Sequence, residues 1–147
     1  MKTSLLIKSA LMGAFLFLGS LSIYEGQIPD LAWWIKTPLL GLTLVVIVPV
    51  LEEWTFRGWL FDVLRAYFNR QSWSLTAYLS VISLHNLVAS ALFVVLHISL
   101  RDLQSGLLVL LPSIVLGLLR DRGVSLMKLI GIHGLWNLGW FSIYSPT

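Results

Sequence analysis

The stretch LTLVVIVPVLEEWTFRG, residues 42–58, decides the fold of this chain. A run of uncharged and mostly apolar residues leads directly to Glu52 and Glu53, and Arg57 follows one helical turn later. Because an ionisable side chain is costly inside a bilayer, each of these charged residues needs a partner or a purpose there. The stretch therefore predicts a membrane helix that carries a polar site.

The composition of the whole chain agrees with a membrane protein. Of the 147 residues, 57% are hydrophobic and only 12% are charged, whereas a soluble domain has about 25% charged residues. The mean hydropathy is +0.85. Since no internal repeat, low-complexity stretch or linker is visible, residues 1–147 are predicted to form a single integral-membrane domain.

Charge and cysteine content exclude several classes of function. The net charge is only +3 and the basic residues are scattered at helix ends, so nucleic acid is not an expected partner. The chain has no cysteine, which excludes disulfides, thiolate metal sites and a cysteine nucleophile. A reactive site in this chain therefore cannot depend on a thiolate, and the lipid bilayer is the expected surrounding medium.

Hydropathy predicts an all-α, polytopic membrane helix bundle with about five transmembrane helices, because a span needs about 20 mostly apolar residues. The predicted spans cover residues 5–23, 33–67, 75–97, 103–119 and 124–144. The second span is longer than a bilayer requires, so its end is expected to bend along the interface. The first span has an alternative, because Lys2 and Lys8 precede an apolar run as they do in a cleaved signal peptide.

The lysine and arginine positions predict the orientation, because cytoplasmic loops carry an excess of both. With the N-terminus inside, the outer side holds only Lys36 and Arg101 outside the motif at 52–58. The inner side then holds Lys2, Lys8, Arg65, Arg70, Arg120, Arg122 and Lys128. We therefore expect an N-in, C-out topology. An outer aromatic belt would be formed by Trp33, Trp34, Trp140 and Tyr144.

Helical geometry separates the two adjacent glutamates. Neighbouring residues on a helix point about 100° apart, whereas Glu53 and Arg57 are spaced i, i+4, so they share a face and can form an ion pair. Glu53 would then be structural. Glu52 faces elsewhere without a local cation, as suits a general base. The alternative is a solvated Glu-Glu-Arg cluster at the point where the helix emerges at the interface.

Further polar residues lie in apolar surroundings. His133 and Asn137 are spaced i, i+4 and can donate hydrogen bonds to one target, as an oxyanion site requires. Hydrogen bonding between membrane helices is their alternative role. His97 closes an apolar run and, taken alone, would be an interface residue. His85 and Asn86 fit no catalytic scheme, and interhelical hydrogen bonding is expected for both.

Three short patterns follow one another on separate predicted helices: EEWTFRG at 52–58, FVVLH at 93–97 and HGLWN at 133–137. Together they resemble the CPBP intramembrane proteases, also called CAAX proteases or Abi proteins. The pattern of that family is E-E-x-x-x-R, then F-x-x-x-H, then H-x-x-x-N or H-x-x-x-D. Residues 117–126 also look like the connection that precedes the family's last motif. The resemblance covers the motif core, residues 52–137.

The resemblance implies an intramembrane endopeptidase that forms no covalent intermediate, and no cofactor is expected. By motif position, Glu52 matches the glutamate that activates water, and His97 matches the histidine that helps to hold that water. The pair thought to stabilise the oxyanion is matched by His133 and Asn137. The positions expected to brace the site are matched by Glu53 and Arg57.

Two departures from the family pattern matter. Fuller members have more membrane helices, so the substrate groove here is either open or completed by a second protomer in a homo-oligomer. The spacing from Glu52 to His97 is also long. With a rise of about 1.5 Å per residue, His97 would lie roughly 35 Å above residue 74, and Glu52 roughly 25 Å above residue 69. The two side chains would then meet only if the helices tilt or break.

Other interpretations of the same residues stay open. One glutamate and two histidines can form the His₂Glu ligand set of a zinc protease. However, no H-E-x-x-H is present, and Asn137 stands where an H-x-x-x-H pair would have its second histidine. A non-catalytic immunity or scaffold protein would keep the motifs without cleaving a substrate. A transporter with a proton relay is disfavoured, because no inverted repeat is visible.

Expectations about substrate and location follow from the resemblance alone. A short single-domain form looks like a bacterial member in the inner, cytoplasmic membrane. Such members are associated with peptide maturation, bacteriocin self-immunity and the processing of C-terminal sorting tails. Nothing in the sequence indicates a pocket for a prenyl group. The expected substrate is therefore a peptide or protein tail, cleaved at mid-membrane or toward the outer leaflet.

Overall fold

A computed structural model describes residues 30, 33–70 and 82–144 of the chain. Throughout this described part the regular structure is helical and no strand occurs, so the all-α prediction is confirmed. The first predicted span, residues 5–23, and its signal-peptide alternative lie outside the described residues.

Six helices can be followed through the described part. They are α1 (Trp33–Lys36), α2 (residues 38–70), α3 (Leu84–Leu100), α4 (Leu103–Leu108), α5 (Leu110–Asp121) and α6 (Leu126–Ile143). Helix α2 consists of five consecutive segments: Pro38–Leu42, Thr43–Ile47, Val48–Glu53, Trp54–Leu60 and Phe61–Arg70. The second and fourth segments are π-helical. The turn that carries both glutamates therefore lies between two π-helical segments.

Two stretches are both long and apolar enough to cross a membrane, Pro38–Asn69 with 32 residues and Leu103–Asp121 with 19. They lie where the second and fourth spans were predicted. Helix α3 is apolar but shorter, with 17 residues, and α6 has 18 residues. The count of five spans and the N-in, C-out orientation stay predictions.

Helix α3 begins later than the sequence predicted. Ser83 has extended backbone with ψ 150°, and its hydroxyl accepts a hydrogen bond from the backbone N–H of Asn86 at 3.3 Å. This is an N-cap, so the predicted continuation of the helix back through residue 83 is wrong. At about 1.5 Å per residue, His97 lies only about 20 Å from the start of its helix at Leu84.

Local chemistry also sets the ends of the next helices. Asp102 caps α4 by accepting hydrogen bonds from the backbone N–H and the hydroxyl of Ser105, both at 2.8 Å. These bonds, chiefly the backbone one, hold the pKa of the Asp102 carboxyl below its usual range. Gly123 follows α5 with φ 79°, a left-handed conformation that glycine adopts without steric cost. The chain turns there toward α6.

Two compact units are present: Met1–Leu51 with Met127–Thr147, and Glu52–Leu126. We call them the terminal unit and the central unit. In the central unit, α3 packs against α4, α5 and the latter part of α2. Its buried apolar side chains include Phe61, Phe93 and Leu116. Whether the chain forms a single domain stays a prediction.

In the terminal unit, Trp33 packs edge-on against Phe141, with ring centroids 5.9 Å apart. The backbone N–H of Asp30 donates to the carbonyl of Ser142 at 2.7 Å nearby. Trp33 is buried, whereas Trp34 is exposed. The Trp33 indole therefore packs against another ring of the chain and does not face outward, and the outer aromatic belt as a whole stays a prediction.

Polar side chains join α3 to α5 in the central unit. The Asn86 amide nitrogen donates to the carbonyl of Ile114 at 3.1 Å, and its oxygen accepts from the hydroxyl of Ser90 at 3.2 Å. His85 Nε2 lies 2.8 Å from Oδ1 of Asp121. The interhelical hydrogen bonding expected for His85 and Asn86 is therefore confirmed.

Gly117 lies so close to this polar contact that a Cβ would overlap the Asn86 amide. Since Asn86 is buried, its side chain cannot move aside into solvent. We expect Gly117→Ala to lower the free energy of unfolding by about 1–3 kcal/mol, as over-packing does. Thermal unfolding in detergent micelles measures this change.

The matched control is Gly131→Ala on α6. A Cβ at Gly131 would meet no described atom within 4 Å, and alanine is the better helix former. Equal melting temperatures for the two variants would contradict the prediction for Gly117.

Candidate active site

The two glutamates of α2 differ in exposure as helical geometry predicts. Glu53 is fully buried, with 0% of its surface exposed, whereas the Glu52 side chain keeps 20%. Both lie on the α-helical segment Val48–Glu53, directly before a π-helical one. Segments of this kind are frequent at functional sites, because the wider turn changes the direction of the side chains.

Glu53 forms an ion pair with Arg57, as the i, i+4 spacing predicted. Nη1 of Arg57 donates to Oε1 of Glu53 at 3.1 Å, and both residues are buried. A buried pair needs further hydrogen bonds to offset the loss of hydration. Nη2 of Arg57 makes two, to the hydroxyl of Ser113 at 2.6 Å and to its carbonyl at 3.0 Å. The guanidinium thereby joins α2 to α5.

Ser113 is a site residue that the sequence interpretation missed. It is buried on α5, far along the chain from Arg57. The available signal was a hydroxyl inside the apolar run LLVLLPSIVLGLL at 107–119. A polar group within such a run needs a hydrogen-bond partner inside the protein, although the run itself does not indicate which partner.

Phe93 connects this ion pair to His97. The guanidinium carbon of Arg57 lies 4.7 Å from the centroid of the Phe93 ring, which is a cation–π distance. The rings of Phe93 and His97 have centroids 4.3 Å apart. Their i, i+4 spacing places both on one face of α3. The phenylalanine of the F-x-x-x-H pattern therefore supports the imidazole on one side and contacts the guanidinium as well.

His97 is oriented by its own helix. Its Nδ1 lies 3.0 Å from the carbonyl oxygen of Phe93. Because a carbonyl oxygen only accepts, Nδ1 must carry the proton, and Nε2 of the neutral ring is an acceptor. Nε2 lies 3.8 Å from Oε1 of Glu52. The two side chains meet without a break in α3, since that helix starts later than predicted.

His133 and Asn137 both lie on α6, in the terminal unit. His133 is buried. The amide nitrogen of Asn137 donates to the carbonyl of Leu44 at 2.9 Å. The prediction that this pair acts at one site with Glu52 and His97 of the central unit stays a prediction.

Among the described residues, no group of three His, Cys, Asp or Glu side chains could hold a metal ion.

A family profile for type II CAAX prenyl endopeptidase Rce1-like proteins matches residues 33–139. The match covers most of the chain and contains all three motifs, so the chain belongs to this family. The resemblance seen in the sequence is thereby confirmed. The family consists of membrane-embedded proteases, so the protein is a membrane protease and hence a hydrolase. No curated protein and no solved structure matches the chain.

Replacement of Arg57 alone should lower the free energy of unfolding more than replacement of both Glu53 and Arg57. In Arg57→Met, Glu53 stays buried without its guanidinium partner, and we expect the free energy of unfolding to fall by about 3–5 kcal/mol. The double variant Glu53→Gln with Arg57→Met removes both charges and should recover part of that loss. Thermal unfolding in micelles compares the two. A double variant no more stable than the single one would show that the loss of the guanidinium beside the Glu53 carboxylate is not the cause.

Proposed function

We propose that the protein is an intramembrane endopeptidase in which Glu52 activates a water molecule for direct attack on a peptide carbonyl. The observation that carries this proposal is the approach of Glu52 to His97, with Oε1 and Nε2 3.8 Å apart. Membership of a family of membrane-embedded endopeptidases supports the same class of reaction.

The gap between the two side chains suits a shared water molecule. At 3.8 Å it exceeds a direct hydrogen bond, which spans about 2.7–3.2 Å between nitrogen and oxygen. One water molecule can contact both groups across such a gap. Because Nδ1 of His97 donates to Phe93, Nε2 offers a lone pair to the water. A water bonded through its protons to Oε1 and Nε2 presents an oxygen lone pair to the substrate.

In the proposed reaction, Glu52 takes a proton from the water while the water oxygen forms a bond to the scissile carbonyl carbon. His133 and Asn137 then donate hydrogen bonds to the tetrahedral oxyanion, and each such donor is worth about 3 kcal/mol of barrier. When the C–N bond breaks, Glu52 or His97 passes the proton to the leaving amine. No covalent bond to the enzyme forms at any stage.

The buried ion pair supports the choice of Glu52 over Glu53 as the base. Glu53 accepts from one end of the Arg57 guanidinium at 3.1 Å, and Ser113 accepts from the other end. Glu53 is therefore engaged in holding the helices together. Glu52 keeps part of its surface exposed, which substrate and water require.

We infer that the substrate is a peptide or protein tail in the bacterial inner membrane. A C-terminal sorting or anchor tail and a bacteriocin-type precursor both fit this description. In an N-in, C-out topology α3 runs outward, and His97 lies near its outer end at Leu100. This placement favours a site that opens toward the outer leaflet. The substrate groove would be either open or completed by a second protomer in a homo-oligomer.

Glu52→Gln should abolish cleavage without loss of folding, because an amide cannot take a proton from water. Membrane proteins from cells that carry the wild-type or the variant protein would be compared by mass spectrometry. The readout is a set of chain termini that appear only with active enzyme. Wild-type termini in the Glu52→Gln sample would overturn the base assignment.

The matched control is Asp102→Asn, which keeps a side-chain acceptor at the exposed N-cap of α4. This control should give the same termini as the wild type. Identical termini in all three samples, together with an unchanged cellular phenotype, would favour the non-catalytic immunity or scaffold function.

Metal content distinguishes the glutamate mechanism from the zinc-protease alternative. We expect the purified protein to hold far less than one zinc per chain and to keep its activity in a chelator, because Glu52 itself activates the water. Elemental analysis and cleavage assays with and without chelator measure both. One zinc per chain, with activity lost on chelation and restored by zinc, would establish the metalloprotease instead.

A further inference from the structure

A buried proline lies within α2, shortly before the first glutamate. Its ring nitrogen carries no proton, so the helix lacks one backbone donor there. We propose that Pro49 is a positioning residue. Because Pro49 cannot donate a hydrogen bond to the Leu44 carbonyl, the Asn137 side chain donates it, and this bond sets the direction of the Asn137 amide. All three residues belong to the terminal unit. The inference rests on the proposed function only where it assigns the amide to the oxyanion.

The missing donor can be identified from the helix pattern. Segment Thr43–Ile47 is π-helical, and at its end the N–H of Val48 donates to the carbonyl of Thr43, five residues back. One residue further along, the same pattern would pair the N–H of residue 49 with the Leu44 carbonyl. Since residue 49 is proline, that carbonyl must find its donor elsewhere in the protein.

Asn137 supplies this donor from α6. Its Nδ2 lies 2.9 Å from the Leu44 carbonyl oxygen. The Val45 carbonyl, four residues before Pro49, loses its α-helical donor for the same reason. Gly134, one turn before Asn137, faces the Val45 carbonyl so closely that a Cβ would overlap its oxygen. One turn of α6 therefore packs on Leu44 and Val45, the two carbonyls for which an N–H at position 49 would be the π-helical or the α-helical donor.

The hydrogen bond determines which way the Asn137 amide points. A carbonyl oxygen only accepts, so the nitrogen of the amide and not its oxygen must face Leu44. The amide nitrogen has two protons, and one of them goes to Leu44. The second proton points away from that carbonyl in a fixed direction. In the proposed reaction this second N–H is the donor to the oxyanion.

Asparagine-selective labelling makes the bond observable without any substrate. The chain has asparagine only at positions 69, 86 and 137, so ¹⁵N-asparagine gives three side-chain amide groups in an NMR spectrum of the protein in micelles. In Pro49→Ala, residue 49 regains an N–H that can take the Leu44 carbonyl. The Asn137 signals should then move toward those of a solvated amide, while the Asn86 signals stay in place.

Two controls separate the missing N–H from the shape of the proline ring. Pro38→Ala changes a proline in the first turn of the helix, where no internal bond to its N–H is expected, and should leave the Asn137 signals in place. Pro49→lactic acid, introduced as a backbone ester, removes the ring but still lacks the N–H. It should keep the wild-type signals. The proposal would be overturned if the Asn137 signals moved equally in Pro49→Ala and Pro49→lactic acid, or moved in neither variant.

Gly134→Ala tests the same contact without changing the proline. Its Cβ would push α6 away from the Val45 carbonyl, and the Asn137 signals should move as they do in Pro49→Ala. Gly131→Ala, with space for its Cβ on the same helix, is the control. An unchanged Asn137 signal in folded Gly134→Ala protein would count against the proposed packing.

Cleavage kinetics test the catalytic consequence. With a quenched-fluorescent peptide that spans a terminus found by mass spectrometry, Pro49→Ala should lower kcat by about tenfold or more and leave KM unchanged, since a lost oxyanion donor costs about 10²–10³ in kcat. Pro49→Ala should not lower kcat further in a protein that already carries Asn137→Ala. A moved Asn137 signal with unchanged kcat would overturn the positioning role. A wild-type protein without peptidase activity would instead refute the proposed function, and the NMR comparison would still decide whether Pro49 sets the Asn137 amide.

Discussion

The buried ion pair between Glu53 and Arg57 is the interaction on which the packing of the central unit depends. Two charges lose their hydration there, and attraction between them offsets that cost only when further hydrogen bonds satisfy the groups. Ser113 on α5 supplies those bonds, and the ring of Phe93 on α3 covers the guanidinium. One arginine side chain thus contacts three helices at once. Because these helices are joined in this way, Glu52 and His97 are held 3.8 Å apart.

A second constraint of the same kind acts in the terminal unit. A membrane helix can contain a proline only where another group satisfies the carbonyl that lost its donor. Here the carbonyl belongs to Leu44 and the donor is the amide of Asn137. In both units a side chain of a sequence motif therefore satisfies a polar group of a neighbouring helix. The free-energy cost of an unsatisfied polar group in lipid therefore accounts both for the packing of the helices and for the orientation of the Asn137 amide.

Family membership and local geometry contribute different parts of the functional argument. The match to type II CAAX prenyl endopeptidase Rce1-like proteins identifies a membrane protease. The distinction between the two glutamates comes from burial, since one is enclosed with its arginine and the other keeps part of its surface. The proton on Nδ1 of His97 follows from the contact of that nitrogen with a backbone carbonyl. These two local facts support Glu52 over Glu53 in the proposed water-activating role.

The sequence by itself determined what depends on neighbouring residues. Helical periodicity is local, so it predicted the pairing of Glu53 with Arg57 and the separation of Glu52 from both. The all-α fold and the order of the motifs were also readable from the sequence. Only the tertiary structure decided the partner of the guanidinium, Ser113, because packing between distant segments selects it. The burial of Trp33 and the late start of α3 also came from the structure. With that start, Glu52 and His97 lie 3.8 Å apart, a gap that one water molecule can bridge. Helix length and packing, and not the spacing along the sequence, set this distance.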